Sequence, residues 1–324
     1  MKFGNLELDV PFFQAPLSGY TDRAMRVLAK EFGSPLSFTG VLLDKIALHR
    51  KAIRKLGLAP QEDEHPVGAQ ILGADPIKMA SAAAHFEKIG FDMIDLNFAC
   101  PAPKVLRRGR GGAMLTDPDT IREIYRRVRD SVKYPVTMKL RIGRGSDSEN
   151  HEKFWQICEN AVEDGCDGLV IHGRTVLEKY RRESNWEILA EVKRKFPQMT
   201  IVGSGDMFEA TDIVKKYKEN GIDGVLIARG AIGNPWLFTE LRAIFEGRDD
   251  YLPPTLAEQG KVILRHYEMI AERLPGIKGI RYFRKFAVGY CKRHPERKKA
   301  QMAIISVRNR DQIYAAVREW FGVE

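Results

Sequence analysis

One unit recurs through the first three quarters of this chain. It is a short apolar run, a Gly or polar turn, and then a helical pattern. The runs fall eight times, at 12–17 (FFQAPL), 36–41 (LSFTGV), 67–72 (VGAQIL), 92–98 (DMIDLNF), 135–140 (PVTMKL), 168–173 (GLVIHG), 200–205 (TIVGSG) and 224–229 (GVLIAR). Helix-like stretches lie between them, at 75–89, 117–131, 150–164, 185–195 and 210–220, with Asp75 before Pro76 and Asp117 before Pro118 as N-cap candidates. Strands alternating with helices imply parallel βαβ units, and near-continuous apolar runs imply strands covered by helices. Eight such units in about 240 residues match a (β/α)8 barrel better than a doubly wound sheet.

The strand pattern stops after Asn234-Pro235-Trp236, and Tyr251-Leu252-Pro253-Pro254 reads as a linker. Helical periodicity alone remains, at 255–273, 277–293, 297–304 and 311–321. The expectation is therefore an α/β fold: a TIM barrel over 1–244 followed by a small all-helical domain over 245–324. The chain's 324 residues suffice to bury such a core without staples. Its formal charge is +9, and residues 245–324 hold 16 Lys and Arg against 10 Asp and Glu, so +6 of that excess sits in the tail. A basic tail is either a merely solvated face or the footprint of a polyanion, with nucleic acid ahead of a membrane surface. Cys100, Cys158, Cys166 and Cys291 show neither a CxxC pair nor metal-ligand spacing, so the expectation is no metal and a reducing, cytoplasmic setting. No signal-peptide pattern opens the chain, and no run approaches a bilayer-spanning length of roughly 18 apolar residues.

In a barrel of this kind the chemistry sits at the C-terminal ends of the strands. Those ends carry Ala15-Pro16-Leu17-Ser18, Gln70, Asn97-Phe98-Ala99-Cys100-Pro101, Lys139 and Arg141, His172-Gly173-Arg174-Thr175, Gly203-Ser204-Gly205-Asp206, and Ala228-Arg229-Gly230. Polar or reactive residues interrupt apolar strands at five or six ends at once, and that concurrence marks a site. The Gly-rich turns after the last two strands let backbone N–H groups approach an anion, and Arg229 adds charge, so a phosphate is the favoured ligand there. Cys100 lies in a turn before a loop with Lys104, Arg107, Arg108 and Arg110 and no acid. Its thiol suits a nucleophile or a proton donor, or it is simply a packed cysteine. Lys139 and His172 are either mouth groups holding an anion or satisfied interior side chains. Asp95 and Asp206 are expected to orient Lys or to bond ligand hydroxyls rather than to act as acid and base.

These residues, in this order, resemble the dihydrouridine synthase family. The resemblance spans about residues 10–290 and rests on AP-L-S-G-x-TDRAMR (15–26), QILG (70–73), DLNFACPAPKV (95–105), MKLR (138–141), HGRT (172–175), GSGD (203–206) and ARGAIGNPWLF (228–238). It implies a flavoprotein that uses NADPH and FMN to reduce uridines in RNA, usually tRNA, to 5,6-dihydrouridine. Hydride would pass from flavin N5 to C6 of the base, and Cys100 would deliver the proton to C5. FMN would be held by Pro16, Leu17, Ser18, Gln70, Lys139, His172, Ser204, Gly205, Asp206, Ala228 and Arg229. The RNA substrate would meet Asn97, Lys104, Arg107, Arg108, Arg110, Arg141 and Arg174, with Arg281, Arg284, Lys285, Lys292 and Arg293 of the tail as further phosphate contacts. Tyr282 and Phe283 are read as core packing ahead of base stacking.

Three places depart from the family pattern. Ser204 stands where Asn is usual, Thr39-Gly40-Val41 where Glu-Met is frequent, and Tyr180-Arg181-Arg182 where small residues are usual. Rival readings are the same chemistry on ribosomal RNA, a flavin-dependent reductase of a free pyrimidine-like molecule, and a non-catalytic RNA-binding relative. A monomer is expected.

Overall fold

The computed structural model describes residues 1–323. Eight parallel strands form the barrel: β1 (Phe12–Gln14), β2 (Ser37–Phe38), β3 (Val67–Leu72), β4 (Met93–Asn97), β5 (Val136–Arg141), β6 (Gly168–His172), β7 (Ile201–Ser204) and β8 (Gly224–Ile227). Neighbours in sequence pair in register from β3 round to β8, β2 pairs with β3, and β8 returns to β1. The ring closes where the Gln14 N–H donates to the Leu36 carbonyl at 3.2 Å. Apart from the half-buried Lys139, every residue of these strands is buried, as continuous apolar runs require.

The barrel interior is filled by Phe13, Phe38, Met93, Val170, Val202 and Leu226. Its N-terminal end is plugged by a feature the sequence reading did not anticipate, a hairpin pairing Lys2–Phe3 with Leu6–Glu7. Phe3 from this hairpin is fully buried and meets Phe13 edge-on at 5.9 Å. With the bottom sealed, the opposite end is left for a ligand.

The outer helices follow the expected boundaries closely. Asp75 and Asp117 accept from Lys78 N and Thr120 N, each at 3.1 Å, capping Pro76–Lys88 and Pro118–Ser131. Each such cap contributes about 1 kcal/mol.

Beyond Trp236–Phe245 the chain runs through a stretch without regular structure into Leu256–Arg273, then Ile277–Phe283, Arg297–Ser306 and Arg310–Phe321. The continuous helix expected over 277–293 is instead broken by 3₁₀ turns at Arg284–Phe286 and Cys291–Arg293. The break follows from close packing: a Cβ on Gly289 would lie 1.8 Å from the Ile232 carbonyl oxygen, so this segment presses its backbone onto the turn after β8. Phe286 and Tyr290 belong to the same apolar cluster as the barrel helices, and Tyr290 meets Trp236 edge-on at 5.9 Å. No helix among the described residues is long and apolar enough to cross a membrane.

Candidate active site

A cleft with about 870 Å³ of open space, counting the part that faces solvent, lies at the C-terminal end of the barrel. It gathers residues from seven strand ends. Pro16, Leu17 and Ser18 come from β1, Gln70 from β3, Asn97 and Cys100 from β4, and Lys139 and Arg141 from β5. His172 follows from β6, Ser204, Gly205 and Asp206 from β7, and Ala228 and Arg229 from β8. Lys104, Arg107, Arg108, Arg110 and Arg174, also expected to act, are not on its wall.

Asn97 shapes the turn that carries the thiol. Its Oδ1 accepts the N–H groups of Ala99 and Cys100, each at 3.1 Å. Arg141 braces the turn from β5: its Nε donates to the Ala99 carbonyl at 3.0 Å, and its Nη1 to those of Thr175 and Lys179, each at 2.9 Å. Arg141 is thus committed to backbone acceptors, and its part in the cleft is to build the wall. Gly111 closes the turn's other side with φ +57°; a Cβ there would sit 3.0 Å from that of Cys100. Cys100 is the one partly exposed cysteine, the other three being buried.

Lys139 carries the clearest invitation to a ligand. Its Nζ is buried and has no hydrogen-bond partner. An unpaired buried cation is costly, and burial lowers its pKa to about 8, with Arg141 pushing the same way and the Asp95 charge opposing. Asp95, expected to orient a lysine or to bond ligand hydroxyls, makes no hydrogen bond to Lys139; it bonds Gln70 and Thr137. An acceptor on a bound molecule would complete Lys139.

The β6–β8 side is organised around the carboxylate of Asp206. Asp206 adopts φ +57°, unusual for a residue with a side chain. Three donors hold its carboxylate there: Arg174 Nη2 at 2.5 Å, Ser184 N–H at 3.0 Å and Arg229 Nη2 at 3.3 Å. Burial disfavours this carboxylate, but the bonds from Arg174 and Ser184 and the Arg229 charge outweigh it and hold the pKa below its ordinary value. Arg174 is consumed in this grip and also donates to His172 Nε2 at 3.2 Å. That bond requires an unprotonated Nε2. Burial first, then the charges of Lys139, Arg141, Arg174 and Arg229, drive the His172 pKa far down, so the ring is neutral. Gly205 has φ +127°, and a Cβ on it would lie 2.3 Å from Ser184 Oγ and 3.3 Å from His172 Nε2. Only glycine keeps that cradle open.

The sequence reading missed the cleft's aromatic roof. The Arg229 guanidinium lies 4.8 Å from the Tyr180 ring centre and 5.2 Å from that of Phe208, and Arg141 faces Tyr180 at 5.4 Å. Tyr180 and Phe208 both line the cleft and remain partly exposed. They sit on loops, where no period betrays a buried face; the signal available was the bulky Tyr180 in a segment where small residues are usual.

The cations divide into two groups. Lys104, Arg107, Arg108, Lys179, Arg181 and Arg182 are exposed on the segments following β4 and β6, at the cleft's end of the barrel, with Arg182 3.8 Å from Glu178. Arg110 turns back toward the buried Asp44 at 3.8 Å. In the tail, Arg284 donates to the Val307 carbonyl and Lys285 to that of Gly19. Lys292 pairs with Glu209 at 2.5 Å and Arg293 with Glu240 at 3.0 Å. Four of the five tail residues expected to meet phosphates are therefore engaged within the protein, and three of those bonds fasten the tail to the barrel. Arg281 is exposed. Phe283 is core, and Tyr282 lies under the Lys285 ammonium at 3.1 Å from the ring centre.

The sequence model of the dihydrouridine synthase family matches residues 13–319. The tRNA-dihydrouridine synthase B of Pasteurella multocida is 32% identical over 290 residues, covering 90% of this chain and 86% of that protein. A probable tRNA-dihydrouridine synthase of Mycobacterium tuberculosis is 31% identical over 324 residues, 97% of this chain and 82% of that one. Among solved structures, histamine dehydrogenase from Rhizobium sp. 4-9 superimposes with a TM-score of 0.58 at 17% identity, over 83% of this chain and 50% of that one. A 2-naphthoyl-CoA reductase does so with a TM-score of 0.59 at 15% identity, over 76% of this chain and 52% of that one. The chain spans about half the length of these two solved chains, and at such identities the likeness speaks to the fold.

Proposed function

The chain belongs to the dihydrouridine synthase family, and on that premise we propose that it is an oxidoreductase that reduces uridines in RNA, foremost tRNA, to 5,6-dihydrouridine, with FMN as its cofactor, NADPH as the reductant and the cytoplasm as its place of action. The observation that carries the reading is the buried, unpartnered Lys139 Nζ in the same cleft as the accessible Cys100. One is a donor waiting for an acceptor on a flat cofactor; the other is a proton source across the remaining space.

Each part of the cleft has a task in this reading. The Gly205 cradle, Ser204, Arg229 and the neighbouring Ala228 hold the cofactor's phosphate end. Lys139 Nζ and Gln70 meet its ring edge, and Pro16, Leu17 and Ser18 close the wall from β1. Neutral His172 donates through Nδ1, since its Nε2 is taken by Arg174. Bound FMN supplies the hydride that adds to C6 of the uracil. The negative charge so produced runs along C5–C4–O4, and Cys100 Sγ–H quenches it by giving its proton to C5. A uridine reaches this depth only by leaving its stack, at a cost of a few kcal/mol. The exposed cations of the rim hold the flanking phosphates meanwhile.

The direct test is mass-spectrometric mapping of dihydrouridine in tRNA and ribosomal RNA from cells with and without the gene. Loss of the modified base at defined tRNA positions is the expected result. An unchanged map overturns the assignment, and loss confined to ribosomal RNA moves the substrate there.

Cofactor binding should depend on pH through Lys139. Its pKa in the free protein is lowered to about 8, and an accepting partner stabilises the cation, so affinity is present below pH 8 and lost as pH rises above it. We expect FMN affinity, followed by quenching of flavin fluorescence, to weaken by up to about tenfold per pH unit above pH 8. Lys139→Met should bind more weakly at pH 7 and lose that slope. A slope unchanged in this variant would remove Lys139 from the cofactor contact.

A further inference from the structure

A line of buried polar groups runs across β3, β4 and β5 and ends on the turn that holds the thiol. Asn97 Oδ1 accepts two backbone N–H groups, so its amide can lie only one way round, with Nδ2 turned toward Gln70. Gln70 Oε1 receives that Nδ2 at 2.6 Å. The same constraint turns Gln70 Nε2 onto Asp95 Oδ2, also at 2.6 Å, while Thr137 donates to Asp95 Oδ1 at 2.7 Å. All four side chains are at most 5% exposed, so water does not compete for these bonds. Each link sets the orientation of the next, and the acceptor at the far end sets them all.

Asp95 has no part in the chemistry described above, and it forms no hydrogen bond to Lys139. We propose that Asp95 is a positioning residue for Cys100: as the terminal acceptor it fixes Gln70, Gln70 fixes Asn97, and Asn97 fixes the turn that aims the thiol into the cleft. What Asp95 contributes is an accepting oxygen at one place. Burial, which raises its pKa to about 6 against the bonds from Gln70 and Thr137, makes this an expensive position for a carboxylate that merely filled space. The opposite side of the turn is held independently by Arg141 on the Ala99 carbonyl and by Gly112 N–H on that of Cys100 at 3.1 Å. Losing Asp95 should therefore loosen the turn without unfolding it.

The inference rests on the reading of Cys100 as proton donor, but its first test does not need activity. Alkylation of the purified protein by iodoacetamide, followed by intact mass, reads Cys100 because Cys158, Cys166 and Cys291 are buried. Asp95→Ala should raise the alkylation rate at least fivefold. Asp95→Asn keeps an oxygen for Gln70 Nε2 and should bring the rate back to within twofold of the parent. Gln70→Leu cuts the line one link nearer the thiol with no loss of charge and should match Asp95→Ala, which keeps the test open if the alanine variant does not fold. In turnover, Asp95→Ala should lower kcat for uridine reduction by tenfold or more, leave its KM within threefold, and be largely rescued by Asp95→Asn. An alkylation rate unmoved by Asp95→Ala overturns the proposal. So does an asparagine variant that behaves like the alanine one, because charge and not the placed acceptor would then be the working element. Should the parent make no dihydrouridine at all, the alkylation series still decides the positioning claim.

Discussion

Replacing Cys100 by Ala should separate the two halves of the reaction. The variant is expected to retain its flavin and to oxidise NADPH at close to the parent rate, while product formation on RNA falls by 10²–10⁴-fold, the usual worth of a placed general acid. The reason is local. Cys100 is the only cysteine at the cleft, and the bonds that hold its turn are made by its backbone, not its sulfur. Removing Sγ leaves Asn97, Arg141 and Gly112 with all their partners, so cofactor binding has no cause to fail. The charge generated on the base then lacks its proton donor at C5. Cys100→Ser keeps a poorer acid in the same place and should fall between the two. Stopped-flow bleaching of the flavin by NADPH, beside chromatographic detection of dihydrouridine, makes the comparison. Parent-level product from Cys100→Ala would dismiss this thiol as the acid; loss of flavin together with product would make its role structural.

How much of this was readable beforehand depended on what kind of signal each feature leaves. The barrel strands were legible because burial on both faces makes an unbroken apolar run, and 67–72 even coincides with Val67–Leu72. The wall of the cleft was legible because a polar residue ending such a run has few other reasons to be there. Asn97 and Gln70 stood out in this way, yet the bond between them did not, since it joins adjacent strands through side-chain geometry that carries no spacing. The hairpin around Phe3 was hidden for a related reason: two-residue strands are too short to show alternation. Arg174 and Arg141 show the limit most plainly. The family resemblance implies substrate contacts for both, and in the structure both are buried braces, one on Asp206 and the other on three backbone carbonyls. A sequence shows that an arginine is present, but whether its five donors are already spent depends on chain brought near from elsewhere.

The same division of cations governs how the protein should hold RNA. If the six exposed residues Lys104, Arg107, Arg108, Lys179, Arg181 and Arg182 meet phosphates, six contacts at roughly 0.7–0.9 each give a slope of log affinity on log salt of about −4 to −5. Raising salt from about 50 to 200 mM should then weaken tRNA binding by roughly 10²–10³-fold. Arg107→Ala with Arg108→Ala should make the slope shallower by about 1.5–2 units and weaken binding at low salt. Arg181→Ser with Arg182→Gly, which restores the small residues usual in the family at that loop, should do the same if this chain's extra charges serve its RNA. Lys292→Ala is the informative contrast. It lies in the basic tail, but its ammonium faces Glu209 at 2.5 Å, so its loss should leave the salt slope unchanged. Charge counting over 245–324 ranks the tail above the rim, whereas four of the five tail residues expected to meet phosphates are already engaged within the protein. Filter binding or fluorescence anisotropy across a salt series decides between them. A slope near zero in the parent, or one altered by Lys292→Ala and untouched by the rim substitutions, would shift the RNA contact away from the mouth and onto the helices.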